Sequence, residues 1–158
     1  MDIQLVFPKS ILARLGTCLI ALFAVVSTTA QADIVFSEGF ESGIGSWGTD
    51  NGVWQVGAPT AGPAGCFESP QCAGTILDSN YPPNTDSRLI SPVIVLPAAT
   101  GAEELHLRFR NWFSYSVLDS GQVQVSVWDA STSTWGDWVD EGIPVVNTSD
   151  WSLKDVDL

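Results

Sequence analysis

Residues 104–114 read ELHLRFRNWFS and residues 122–128 read QVQVSVW. In the first, Leu105, Leu107, Phe109 and Phe113 fall on one face, with His106, Arg108, Arg110 and Trp112 on the other. In the second, Val123, Val125 and Val127 oppose Gln122, Gln124, Ser126 and Trp128. An alternation of period two belongs to extended backbone, because successive strand side chains point to opposite faces. Asp119-Ser120-Gly121 carries turn chemistry between the two stretches. They are expected to be neighbouring antiparallel strands with one buried, apolar face.

Shorter strands are expected at Ile34–Phe36, Val53–Val56, Gly74–Leu77, Arg88–Ile90, Val93–Leu96, Asp137–Val139 and Trp151–Val156. Gly-, Pro- and Ser-rich turns separate them at 41–48, 57–71, 78–86 and 98–101. Pro92 interrupts one run, which suits an edge or a bulge because proline cannot donate to a ladder. No stretch beyond the first 32 residues shows a capped helical period. Many short strands with this punctuation predict an all-β, antiparallel β-sandwich. The chain stops at Asp157-Leu158, inside an expected strand, so the sandwich is expected to be truncated here and to continue beyond it.

Residues 1–32 read differently. Lys9 and Arg14 precede an apolar run from Leu15 to Val26, and Ala30-Gln31-Ala32 closes the segment. A basic start, a short greasy centre and an A-x-A site are the marks of a secretory signal peptide. The greasy run holds 12 residues, against the roughly 20 that a spanning helix needs. The sequence therefore divides into a leader, 1–32, and one domain, 33–158, which is expected outside the cytoplasm, secreted or at the cell surface, with no membrane insertion of the mature chain.

That domain keeps 17 of the 18 acidic residues and 4 of the 6 basic ones, a net charge of −13. Such a field repels phosphate backbones and anionic lipid, so nucleic acid is excluded as an expected partner. Cys66 and Cys72 remain after the leader is set aside. An even pair in an oxidising compartment predicts a disulfide. The alternative, a metal site, lacks a second cysteine pair, and the one histidine, His106, is remote in sequence.

A resemblance joins these pieces. Phe36-Ser37-Glu38-Gly39-Phe40-Glu41-Ser42-Gly43 with Trp47, then Trp54-Gln55-Val56-Gly57, Ser87-Arg88-Leu89-Ile90-Ser91-Pro92 and Leu107-Arg108-Phe109-Arg110-Asn111-Trp112 follow in order. Asp119, Gly121 and Val123 come next. This ordered set resembles bacterial secreted domains of the MAM-like, choice-of-anchor J or cleaved-adhesin type. The resemblance implies a lectin-like jelly roll that works in adhesion or recognition rather than catalysis. It also implies that an N-terminal and a C-terminal strand pair, which makes Glu38 or Glu41 with Asp155 or Asp157 candidate ligands for a structural calcium ion. Two motifs depart from the pattern: residues 129–135 replace the family's Gly-rich turn, and its closing strand has no counterpart before Leu158.

No catalytic residues are expected. His106 lies mid-strand without a nucleophile elbow, and Glu103-Glu104 and Asp140-Glu141 sit in polar strand-end contexts. The tryptophans are the stronger signal, since aromatic rings either fill cores or stack on ligands. Trp47, Trp54 and Trp151 belong to the expected scaffold. Trp112 and Trp128 fall on polar faces, and with Arg108, Arg110 and Gln124 they are the candidate ligand platform. The expected function is non-catalytic binding of an extracellular glycan or surface protein. The alternative is a structural accessory domain of a larger secreted hydrolase such as a protease. The sequence leaves the ligand and the oligomeric state open.

Overall fold

The computed structural model describes residues 3–8, 32–98, 103–116, 118–145, 147–148 and 150–158. The apolar run of the expected leader, Leu15–Val26, lies outside the described residues. Every regular element among the described residues is a strand: β1 (Ile3–Pro8), β2 (Ala32–Glu38), β3 (Gly48–Thr49), β4 (Trp54–Gly57), β5 (Cys72–Thr75), β6 (Leu89–Ile90), β7 (His106–Asn111), β8 (Gly121–Val125), β9 (Trp128–Asp129), β10 (Thr134–Trp135), β11 (Val139–Val145) and β12 (Ser152–Asp157). The described part of the chain is thus all-β, and each of its strand pairings is antiparallel. No described helix is long and apolar enough to cross a membrane.

One sheet has four strands in the order β12-β7-β1-β2, and four further pairs are β3-β6, β4-β5, β8-β11 and β9-β10. Three of the small pairs, β3-β6, β4-β5 and β8-β11, contribute residues to one core with the larger sheet. Phe40, Ala73 of β5 and Phe109 of β7 form the buried centre. Trp47, Trp54 and Val56 of β4, Leu89 of β6, Leu107, Val123 of β8 and Val156 of β12 pack around it. The alternation at Leu107 and Phe109 thus marks the inward face, as expected from the sequence.

Phe40 is wholly buried although its φ is +61°. A bulky residue in the left-handed region costs about 1–2 kcal/mol. Two contacts hold it there. The Glu38 carboxylate accepts the Phe40 N–H at 2.6 Å, and the Phe40 carbonyl accepts the Gly43 N–H at 3.1 Å. Burying the ring contributes about 1.5–3 kcal/mol, enough to offset the strain. The Phe40 and Trp47 ring centroids lie 5.3 Å apart, which places the turn against the core.

β7 and β8 are not neighbours, contrary to the expected pairing. β7 pairs with β1 and β12, and β8 pairs with β11. The reason lies in the link after β7. Thr148 Oγ1 accepts the Phe113 N–H, and Asn147 Oδ1 accepts the Tyr115 N–H. The segment before β12 captures the continuation of β7 and leads β12 onto its edge. Val123 still reaches the common core, so its face was legible and its partner was not.

The expected strand at Val93–Leu96 does not form. Residues 91–98 have no strand assignment, and Val93, Val95 and Leu96 are exposed. Val127, expected on the buried row, lies beyond the end of β8 and is also exposed.

Asn111 shares the inward face of β7 and is 2% exposed. Its Oδ1 accepts a hydrogen bond from Ser152 Oγ at 2.9 Å, while its Nδ2 has no acceptor among the described residues. Phe109, two residues earlier, touches the core from the same strand. Phe109→Ala is expected to lower unfolding free energy by about 3 kcal/mol or more, the cost of a cavity at a close-packed site. Urea titration measures it, and a change below about 1 kcal/mol would show that Phe109 is not central to the core.

Candidate functional site

The outward face of β7 carries His106, Arg108, Arg110 and Trp112 just past its end. Each is engaged by a neighbour. Arg108 Nε donates to Asp155 Oδ2 at 2.8 Å. His106 has Asp155 Oδ1 at 2.7 Å from Nδ1 and Glu104 Oε2 at 3.2 Å from Nε2. The Arg110 guanidinium carbon stands 4.3 Å from the Phe67 ring centroid. Phe67 is in turn 6.4 Å from the Trp151 ring, whose Nε1 donates to the Gly65 carbonyl at 3.0 Å. Trp112 lies under Gly62, where an added Cβ would stand 2.9 Å from Trp112 Cζ3.

Residues 57–71 therefore cover the far end of this face. The disulfide Cys66–Cys72, Cα–Cα 5.7 Å, ties the loop back to β5, so the expected bridge is present. In chain-entropy terms a closure this short contributes about 2 kcal/mol. Trp112, Arg108 and Arg110, expected as ligand contacts, are committed to packing and pairing. Gln124 Nε2 donates to Asp140 Oδ1 at 2.8 Å across the β8–β11 pair.

Trp128 belongs to a different surface. β9 and β10 form a short ribbon in which Trp135 stands opposite Trp128 and Thr134 opposite Asp129. The two indoles meet edge to face, 5.5 Å between centroids and 67° between planes. Trp128, Trp135 and Trp138 are 47%, 49% and 48% exposed, with Val127 and Val139 also exposed beside them. Asp129 Oδ1 accepts from the Ser131 hydroxyl at 2.6 Å and its N–H at 2.8 Å, which closes the tip. Those Ser131 bonds hold the Asp129 carboxyl below its usual range. At the base, Gly136 N–H donates to the Val127 carbonyl at 2.9 Å, and Ser126 Oγ donates to the Gly136 carbonyl at 2.8 Å. The rings thus stand on a short ribbon tied at both ends. The sequence marks Trp128, whereas only the cross-strand register places Trp135 against it.

The four acidic candidates for calcium do not converge. Glu38 ends β2 and Asp155 and Asp157 lie on β12, at opposite edges of the four-stranded sheet. Three strand spacings separate those edges, about 14 Å. Glu38 accepts the Phe40 N–H, and Asp155 binds His106 and Arg108. Glu41 follows in the exposed turn. This arrangement does not fit one ion shared by both sets. No group of three or more potential ligands occurs among the described residues.

Comparison with family models, with curated proteins and with solved structures yields no match.

The charge triad across β7 and β12 has a measurable signature. Hydrogen bonds to Asp155 and then to Glu104 raise the His106 pKa above 6.5. At Asp155 partial burial opposes ionisation, but the hydrogen bonds from His106 and Arg108 outweigh it and hold the carboxyl below 3.8. A histidine with a raised folded pKa adds stability that is full below pH 6.5 and fades as pH climbs through the folded value. The Asp155 contribution is present above about pH 3.8 and fades as pH falls through its lowered value. Melting temperature is expected to drop as pH rises past 6.5, and His106→Gln is expected to flatten that slope. Equal slopes in both chains would remove His106 as the source.

Proposed function

We propose that residues 33–158 form an exported, non-catalytic recognition module that contacts a glycan or a surface protein outside the cytoplasm. Its architecture is read as a jelly-roll β-sandwich, with small strand pairs as the second layer over β2, β7 and β12. The observation that carries the reading is the ribbon bearing Trp128, Trp135 and Trp138, each about half exposed. Rings held on a short two-strand support offer apolar faces at little cost in side-chain entropy, and exposed apolar clusters mark contact sites. Asp129, Thr134 and the hydroxyls of Ser131 and Thr132 border the rings with acceptors and donors suited to sugar hydroxyls.

The environment of His106 supports the non-catalytic reading. Both ring nitrogens face carboxylates, so neither is left to take a proton from a nucleophile. The net charge of −13 on residues 33–158 disfavours nucleic acid and anionic lipid. The second reading, an accessory module docked on a secreted hydrolase such as a protease, draws on exposed Val93, Val95 and Leu96. Their burial would need a neighbouring domain.

Pull-down on insoluble polysaccharides and a glycan array test the first reading. Trp128→Ala and Trp135→Ala are each expected to weaken capture at least tenfold, about 1.4 kcal/mol. Trp112→Ala is expected to lower the melting temperature and leave affinity unchanged. Full capture by both ribbon variants would overturn the ribbon as the contact site.

A further inference from the structure

We infer that the slot between β2 and β7 is a strand-accepting site, filled in the unprocessed chain by its own leader strand β1. Once the leader is removed, the slot takes an extended segment of another polypeptide. The inference rests on the export reading, because only processing vacates the slot.

β1 occupies the interior of the four-stranded sheet, antiparallel to both neighbours. Six of its residues are in register with β2, around a bulge between Leu5 and Val6, and four are in register with β7. Yet Ile3–Pro8 is the opening of the segment that ends at Ala30-Gln31-Ala32 and carries the marks of a cleaved leader. Cleavage after Ala32 removes β1 and leaves Asp33–Glu38 of β2. The facing edges of β2 and β7 then stand two strand spacings apart, about 9.6 Å. Each exposes a row of unpaired N–H and C=O groups, and such edges recruit strands.

The register states what fits. Ile3 stands opposite Phe109 on one side and Glu38 on the other; Leu5 stands opposite Leu107 and Phe36. Directly opposed residues in an antiparallel pair share a face, and Leu107 and Phe109 face the core. A donor therefore needs apolar residues two apart at these positions. It tolerates a polar residue between them, where Gln4 stands opposite Ser37 and Arg108.

Charge selects the source. Residues 33–158 carry −13; on or beside the strands of this sheet, Asp33, Glu38, Glu104, Asp155 and Asp157 outnumber Arg108, Arg110 and Lys154. A second copy of the same chain would add like charge. A strand with a basic flank reverses the sign; β1 itself is flanked by Asp2 before it and Lys9 after it.

The test uses the exported protein, with its leader state read by intact mass, and a fluorescent synthetic peptide of residues 2–9 (DIQLVFPK). The processed protein is expected to raise the anisotropy of the peptide. A peptide carrying Leu5→Pro, which deletes a ladder donor, is expected to bind at least tenfold more weakly. A cleavage-resistant precursor, Ala30→Asp, is expected to bind neither. Processed protein that fails to bind, or that binds both peptides equally, overturns the slot. If the processed chain is unfolded, recovery of strand circular dichroism on adding the parent peptide supports the slot, and no recovery overturns it. Peptide-reversible dimers in light scattering would overturn the choice of another polypeptide as donor.

Should intact mass show the leader retained, the export reading fails, and the slot is read on the full chain. Full-length Leu5→Pro is then expected to capture the peptide, or regain strand signal with it, where the parent does not. Failure of both overturns the slot on its own account.

Discussion

The structure depends on β7 burying Phe109. One strand links the four-stranded sheet to the small pairs, since Phe109 shares one buried cluster with Phe40 from the turn after β2 and Ala73 from β5. Two-stranded pairs are marginal by themselves, because each lacks a face covered on its own. Trp54 and Val56, Leu89 and Val123 bring three such pairs onto the same centre. Burial of Phe40 in a left-handed turn makes sense only against this partner. The Glu38 carboxylate that caps the turn thereby couples the end of β2 to the middle of β7.

The other face of β7 is governed by charge. In a domain with 17 acids and 4 bases, cations are scarce, and β7 carries two of the four. Arg108 and His106 share Asp155, while Arg110 lies over Phe67. Exposed ion pairs contribute little each, so their effect here is chiefly positional. They set the β12 edge and the disulfide loop against the sheet, the loop covering the end of the face at Arg110 and Trp112. A recognition surface on β7 would have to break those pairs first. The ribbon of β9 and β10 carries no such cost.

The legible parts of the sequence were those fixed by local periodicity or by a single chemical need. Leu107 and Phe109 alternate, so their face was readable; Cys66 and Cys72 needed only proximity and oxidation. Strand partners were not readable in the same way. Nothing in Gln122–Val125 says whether it pairs with β7 or β11, because the alternation is satisfied by either. The deciding bonds run from Phe113 and Tyr115 to Thr148 and Asn147, more than thirty residues away. Trp112 and Trp128 looked equivalent, each polar-facing on a strand, yet a loop glycine with no side chain admits one indole beneath it and the other stands in solvent. Asn111 escaped notice because its polarity ran against the inward row it belongs to.

β1 places the hardest demand on this architecture. Its backbone completes ladders on both sides, so the sheet is continuous from β2 to β12. Removing it would not fray an edge but divide a sheet, isolating β2 from β7 and β12. The core cluster of Phe40, Ala73 and Phe109 would still join the halves, because none of its members lies on β1. A domain built this way keeps its centre while its main-chain hydrogen bonds go unmet. Unmet bonds along two facing edges favour any extended segment of matching alternation over bare solvent. The same Leu107 and Phe109 row that closes the core would then also define which segments enter.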